Sequence, residues 1–182
     1  MWVSGVKGSS FFVAIGGFRG DVADPKSLVR AVGEAASPHA AQIVDAGRVA
    51  GRDHLWMAAV NAARSTETGL ALSKNITVEA LLYASAQDQI TKALATLGVS
   101  AKTTAVALMV FAPTQAEAEG AYREAAKLLG VEDDGVLELD DAKVAALKKA
   151  YGISDAELEA AGGEKALSGL IVERGALLSL RR

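Results

Sequence analysis

Along the chain, the order of apolar and polar positions predicts a run of short strands and helices with readable ends. WVSGVK (2–7) and FFVAIGGF (11–18) read as two strands joined by Gly8-Ser9-Ser10, a short hairpin connection. Asp24-Pro25 supplies an N-cap with proline at the first helical position, opening a helix to about Ala36 that Ser37-Pro38 ends. QIVDA (42–46) reads as a short buried strand, followed by a helix from about Arg52 to Arg64 and a polar loop from Thr66 to Ser73. TTAVALMVF (103–111), a continuous apolar run bounded by Pro113, is the strongest strand candidate. Thr114 and Glu117 form a capping box for a helix to Leu129, with Ala118, Tyr122, Ala125 and Leu129 on one face. VLELD (136–140) alternates like a half-buried strand. Three helices finish the chain, near 141–151, 154–161 (capping box Ser154/Glu157) and 165–180.

One segment breaks its own pattern. VEALLYASAQDQITKAL (78–94) is helix-prone and half apolar, yet Ser85, Gln87, Asp88 and Gln89 interrupt it before it resumes. Two helical pieces account for this, roughly 76–84 and 86–97, with Ser85 capping the second and Gly98 closing it. There is no internal repeat and no linker. The expected fold is therefore one α/β domain over 1–182, with an about five-stranded, mixed or mostly antiparallel sheet flanked by about seven to eight helices.

Composition narrows the chemistry more than it names it. The hydrophobic share of 51% and charged share of 23% are those of an ordinary globular protein, and 182 residues suffice for one good core. The 37 alanines favour helix. Absence of cysteine excludes a thiol nucleophile, a disulfide framework and a Cys-ligated zinc or iron–sulfur site. Two histidines, His39 and His54, leave little for a His-based metal site, so no metal or cofactor is expected. AVALMVFA (105–112) is far short of the roughly 20 residues that span a bilayer. With no secretory pattern at the N-terminus, the expected location is cytoplasmic, away from membranes. The net charge of −3 hides an asymmetry: residues 132–164 carry ten acids against three lysines, so the remainder sums to +4. That leaves room for a modest basic surface and salt-sensitive phosphate contacts.

Motifs for catalysis do not assemble. IGGFRG (15–20) lacks the dinucleotide-binding spacing and reads as glycines easing a strand end into a turn. GGEK (162–165) follows a helix, lacks the phosphate-loop spacing, and reads as a helix C-cap. His54, beside Asp53 at a helix start, has no serine on a sharp turn to activate and reads as a structural hydrogen-bonder. Asp133/Asp134 and Asp140/Asp141 read as loop and helix-cap residues. No catalytic residue is assigned.

The broken segment carries a resemblance. Val49, Ala50, Arg52, His54 and Leu55 precede an Ala-rich helix, and Val78, Glu79, Leu81, Leu82, Tyr83, Ser85, Gln89, Ile90, Ala93 and Gly98 follow. In this order they resemble the signature of the KEOPS subunit that binds the complex's small kinase, the PRPK-binding protein family TPRKB with its archaeal counterparts. The tail LIVERGALLSLRR (170–182) is similar to that family's closing V-x-E-R-V-A-L-L-E-L pattern. One departure stands out: the family's Gly-x-Arg-Gln-Ile reads Ala86-Gln87-Asp88-Gln89-Ile90 here, an aspartate in place of an arginine.

The resemblance implies a non-catalytic accessory subunit. KEOPS installs threonylcarbamoyl groups on the adenosine beside the anticodon of tRNAs that read codons starting with A. This family docks on the N-lobe of the small kinase/ATPase subunit, meets other KEOPS subunits indirectly, and in archaeal members helps recruit tRNA by its 3′ CCA end. Single-stranded ends are held by stacking and by side-chain amides on base edges. On that implication the RNA-binding set is Arg64, Lys74, Asn75, Ser85, Gln87, Gln89 and Ile90; equally, Gln87 and Gln89 fit a solvated corner between helices. Kinase docking falls on the last helix, whose Leu167, Leu170, Ile171, Val172, Leu177, Leu178 and Leu180 spread around several faces. Leu170, Ile171, Leu177, Leu178 and Leu180 form the expected partner set. The alternative from another class is a small-molecule or nucleotide-binding α/β enzyme whose site carries no recognisable motif.

Overall fold

The computed structural model describes residues 1–181. Its centre is β4 (Ala105–Ala112), the continuous apolar run, buried along seven of its eight residues because strands flank it on both sides and helices cover both faces. β2 (Phe12–Arg19) pairs with it along its whole length, Phe12 opposite Ala112 through Arg19 opposite Ala105. β3 (Ala40–Asp45) pairs with its other side. β1 (Trp2–Gly5) lies outside β2, and the two-residue β5 (Val131–Glu132) pairs with the far end of β2. The order is β1-β2-β4-β3 and every pairing is antiparallel.

Alternation along the strands sorts the core into two layers. Ala14, Phe18, Ile43, Leu108 and Val110 face one side, packed with residues of α1 (Pro25–Ala36) and α5 (Gln115–Ala126). Val13, Ile15, Val44, Met109 and Phe111 face the other, packed with α2 (Arg52–Glu67) and α3 (Ile76–Ser85). α4 (Ile90–Leu97) leans on α3. A third cluster joins α6 (Asp141–Tyr151), α7 (Asp155–Ala160) and α8 (Leu167–Ala176) to the start of α2 through Ala50, Leu147, Tyr151, Leu158, Leu167 and Ile171. The expected helix starts hold: Asp24 accepts from the Lys26 and Ser27 amides, and Thr114 and Ser154 accept from those of Glu117 and Glu157.

Four expectations give way to the structure. VLELD is no strand: a 3-10 turn spans Asp134–Leu137, and the fifth strand is Val131–Glu132 instead. The cause is local, because Asp133 accepts from the Gly135 amide and donates its own to Gly17 O, turning the chain under β2 with Val136 and Leu137 buried. Ser85 does not cap α4; it is the last residue of α3 and its hydroxyl donates to Leu82 O at 3.1 Å. Gly16 and Gly17 do not ease a strand into a turn but lie inside β2, where any Cβ on Gly16 would occupy the place of the Tyr122 hydroxyl and one on Gly17 would come 2.7 Å from Asp133 O. The final helix is α8 between 3-10 turns at Glu164–Ala166 and Leu177–Arg181. Arg182, which ends the closing motif, lies outside the described residues. Gly162 and Gly163 do cap the preceding helix, with positive φ and the Gly163 amide on Leu158 O.

Candidate partner and nucleic-acid surfaces

The last helix resolves into two stripes. Leu167, Ile171, Gly175 and Leu178 recur at the spacing of one helical face and are buried. Gly175 is required there, because a Cβ would collide with Tyr83 O of α3. Leu170, Arg174 and Leu177 form the second stripe, which lines a cavity of about 500 Å³ shared with Ala86, Gln87, Tyr151 and Glu157. Leu177 is 37% exposed and Leu180 79%. Of the expected partner residues, Ile171 and Leu178 are therefore corrected: both belong to the protein's own core, at 0% and 2% exposure, and present nothing to a partner. Leu170, Leu177 and Leu180 remain outward or at the cavity wall.

Arg174 is spent within the fold. One terminal nitrogen donates to both Glu157 oxygens, at 2.6 and 2.8 Å, and the other donates to Tyr151 O. Next to it, the end of α3 is fixed by side chains from two other helices. His54 Nε2 lies 2.7 Å from Ala84 O, and the Tyr151 hydroxyl donates to the same oxygen at 2.9 Å. The Ala50 amide donates to His54 Nδ1 at 3.1 Å, so Nδ1 is the acceptor and Nε2 carries the proton. Burial pushes the imidazole pKa down to about 4, against a smaller opposing effect of the Ala84 hydrogen bond. With both nitrogens engaged, His54 is a structural hydrogen-bonder and no general base. Tyr151 and Arg174 were invisible as site-builders in the sequence, because their partners are a helix-end carbonyl 67 residues away and a glutamate on another helix.

The residues expected to meet RNA do not converge on one surface. Ser85 is a correction: it is fully buried, its hydroxyl is used on the backbone, and it lies at the cavity beside α8 rather than with Lys74 and Asn75. Gln87 lines the α8 cavity. Arg64 lines a separate cleft of about 510 Å³ with Asn61, Thr68 and Leu70. Asn75 and Ile90 line a third, more apolar groove of about 620 Å³ between α1, the edge strand β3, α3 and α4. Lys74 and Gln89 are exposed immediately before Asn75 and Ile90. Asn75 caps α3, its Oδ1 accepting from the Thr77 amide and hydroxyl, which leaves its NH2 group outward of the cap. The loop that brings Lys74 there is anchored by buried Glu79, which accepts from the Ser73 amide at 3.0 Å and from the Ser65 hydroxyl at 3.2 Å. Lys26, Val29, Gln42 and Leu94 also line the groove and escaped sequence reasoning, since they lie on other elements. Asp88 is exposed on the connecting corner.

Among the described residues no group of three or more His, Asp or Glu side chains is placed to hold a metal ion, and no helix is long and apolar enough to cross a membrane. Comparison with curated proteins finds no match. Residues 20–179 do match a family model, that of kinase binding protein CGI-121. The match runs from the end of β2 into the turn that closes α8, so it spans the two cavities, the groove, Leu170 and Leu177, and stops one residue before Leu180. The chain belongs to the kinase-binding CGI-121 family.

Proposed function

We propose that this protein is a non-catalytic accessory subunit of a KEOPS-type tRNA-modifying complex, docking on the N-lobe of the complex's small kinase through the outward stripe of α8. The single observation that carries this is the division of the last helix: one stripe completes the core, while Leu170, Leu177 and Leu180 form an apolar row along the cavity wall and beyond it, with Leu177 and Leu180 exposed. Such a row is stabilised when a partner removes it from water, at about 25 cal/mol per Å² of apolar surface. The engaged imidazole of His54 fits a structural rather than catalytic histidine. Co-elution with the kinase tests the reading: Leu177→Arg and Leu180→Arg should each abolish it while the monomer keeps its fold. Undiminished co-elution of both variants would sink it.

The tRNA role is the finer part of the proposal. The β3-edge groove supports it best, with Asn75 and Ile90 in its wall, Lys26 lining it, and Lys74 and Gln89 exposed beside them. Apolar wall, side-chain amides and ammonium groups are what an unpaired RNA end requires. Equal affinity of the wild type for intact tRNA and tRNA trimmed of its CCA end would refute it.

A further inference from the structure

The cavity beside α8 has a charge character as well as a shape. Two helices end at it: α3 contributes Ser85 and Ala86, and α6 contributes Tyr151. The C-terminus of a helix is the negative end of its dipole. Glu157 and Glu173 add two carboxylates to the lining, against Arg174 as its one cation. Arg174 is already held by Glu157 and by Tyr151 O. Glu173 is exposed and forms no ion pair among the described residues. Leu170 and Leu177 supply apolar walls, and the volume of about 500 Å³ exceeds what one long side chain fills.

An electronegative floor with apolar walls fits a flexible alkyl stem that ends in a cation. We propose that the docking partner seats an arginine or lysine side chain here, its stem against Leu170 and Leu177 and its charge at Glu173. This rests on the kinase-docking reading above and adds the chemistry of the partner: its contact surface is apolar with a basic centre. A neutral or acidic element would leave Glu173 desolvated without a counter-charge, which disfavours it.

Titration of the full chain with the purified kinase at low and high salt is the test. Wild-type affinity should fall as salt rises. Glu173→Lys should lower it about tenfold at low salt, as for a rim-to-core charge pair. Glu173→Gln should lower it less and flatten the salt dependence. A charge swap completes the set: replacing the kinase's own basic contact with Glu should be rescued by Glu173→Lys and by no other variant. The proposal is overturned if Glu173→Lys binds as tightly as wild type while Leu177→Arg still abolishes binding; the face then docks the kinase without a cation. If the wild-type chain does not bind the kinase at all, the docking reading fails and this inference falls with it.

Discussion

At the scale of single residues, His54 shows how burial sets both chemistry and stability. Its imidazole is neutral in the fold and fully desolvated, with a pKa near 4, while the unfolded chain has an ordinary value near 6.5. Below the ordinary value the unfolded state takes up a proton that the folded state refuses. The contribution is therefore fully present above about pH 6.5 and is lost as pH falls toward about 4, on the order of 3 kcal/mol across the window. Urea midpoints measured across it should fall with pH, and His54→Leu should flatten that slope even though it lowers stability at every pH by stripping the Ala50 amide of its acceptor. An unchanged slope in the variant would show that another group sets the acid limit. Trp2 and Trp56, packed edge to face at 4.9 Å, report the unfolding by fluorescence. Gly175 makes the complementary case, in which a side chain is excluded rather than required. Gly175→Ala drives a methyl group into Tyr83 O and should cost about 1–3 kcal/mol through overpacking, read as a lower thermal midpoint.

At the scale of elements, what was legible in the sequence is what local chemistry decides. Asp24-Pro25, Thr114 and Ser154 announced helix starts because each cap bonds its own next turn. The run TTAVALMVF announced a strand by its unbroken apolar stretch, and it proves central because a strand covered on both faces needs no polar positions. Ser85 misled for the same local reason: a serine before a polar corner looks like a cap, but its hydroxyl turned back onto Leu82 O and α3 ran through it. VLELD misled because Leu137 and Leu139 interleave with Glu138 and Asp140 as in a half-buried strand, whereas the Asp133 turn buries the adjacent Val136 and Leu137 together. In α8 the sequence revealed an excess of leucines but not their division, since periodicity alone does not say which stripe meets α3. Gly175 says it, by admitting the Tyr83 carbonyl. Substitution separates the stripes: Ile171→Ala, in the core, should cost about 2–5 kcal/mol of stability in a melt. Leu180→Ala, at 79% exposure, should leave the melt unmoved and weaken kinase binding alone. Equal loss of stability in both would erase the distinction.

At the scale of the whole molecule, charge is unevenly divided along the chain. The acidic stretch 132–164, at −7, forms α6 and α7 and part of the cavity beside α8. The rest of the chain is +4, and the β3-edge groove has Lys26 in its wall with Lys74 exposed beside Asn75. Under the proposed tRNA role, Lys74→Ala should weaken binding of all tRNAs alike and reduce the slope of log affinity against log salt by about one, the signature of a single phosphate contact. Ile90 sits in the groove wall at 48% exposure, open enough for a base to stack on it. Ile90→Glu should therefore remove on the order of 1–3 kcal/mol and, with it, the preference for an intact CCA end. Asp88 is the sharper probe, because it stands exposed on the corner that leads into Ile90, where the resembling family carries arginine. An aspartate there repels phosphate, so Asp88→Arg reverses one charge by two units and should tighten tRNA binding most at low salt, with a steeper salt slope. A gain confined to low salt assigns the corner to the RNA path; identical titrations at every salt concentration would assign Asp88 to a surface that faces away from it.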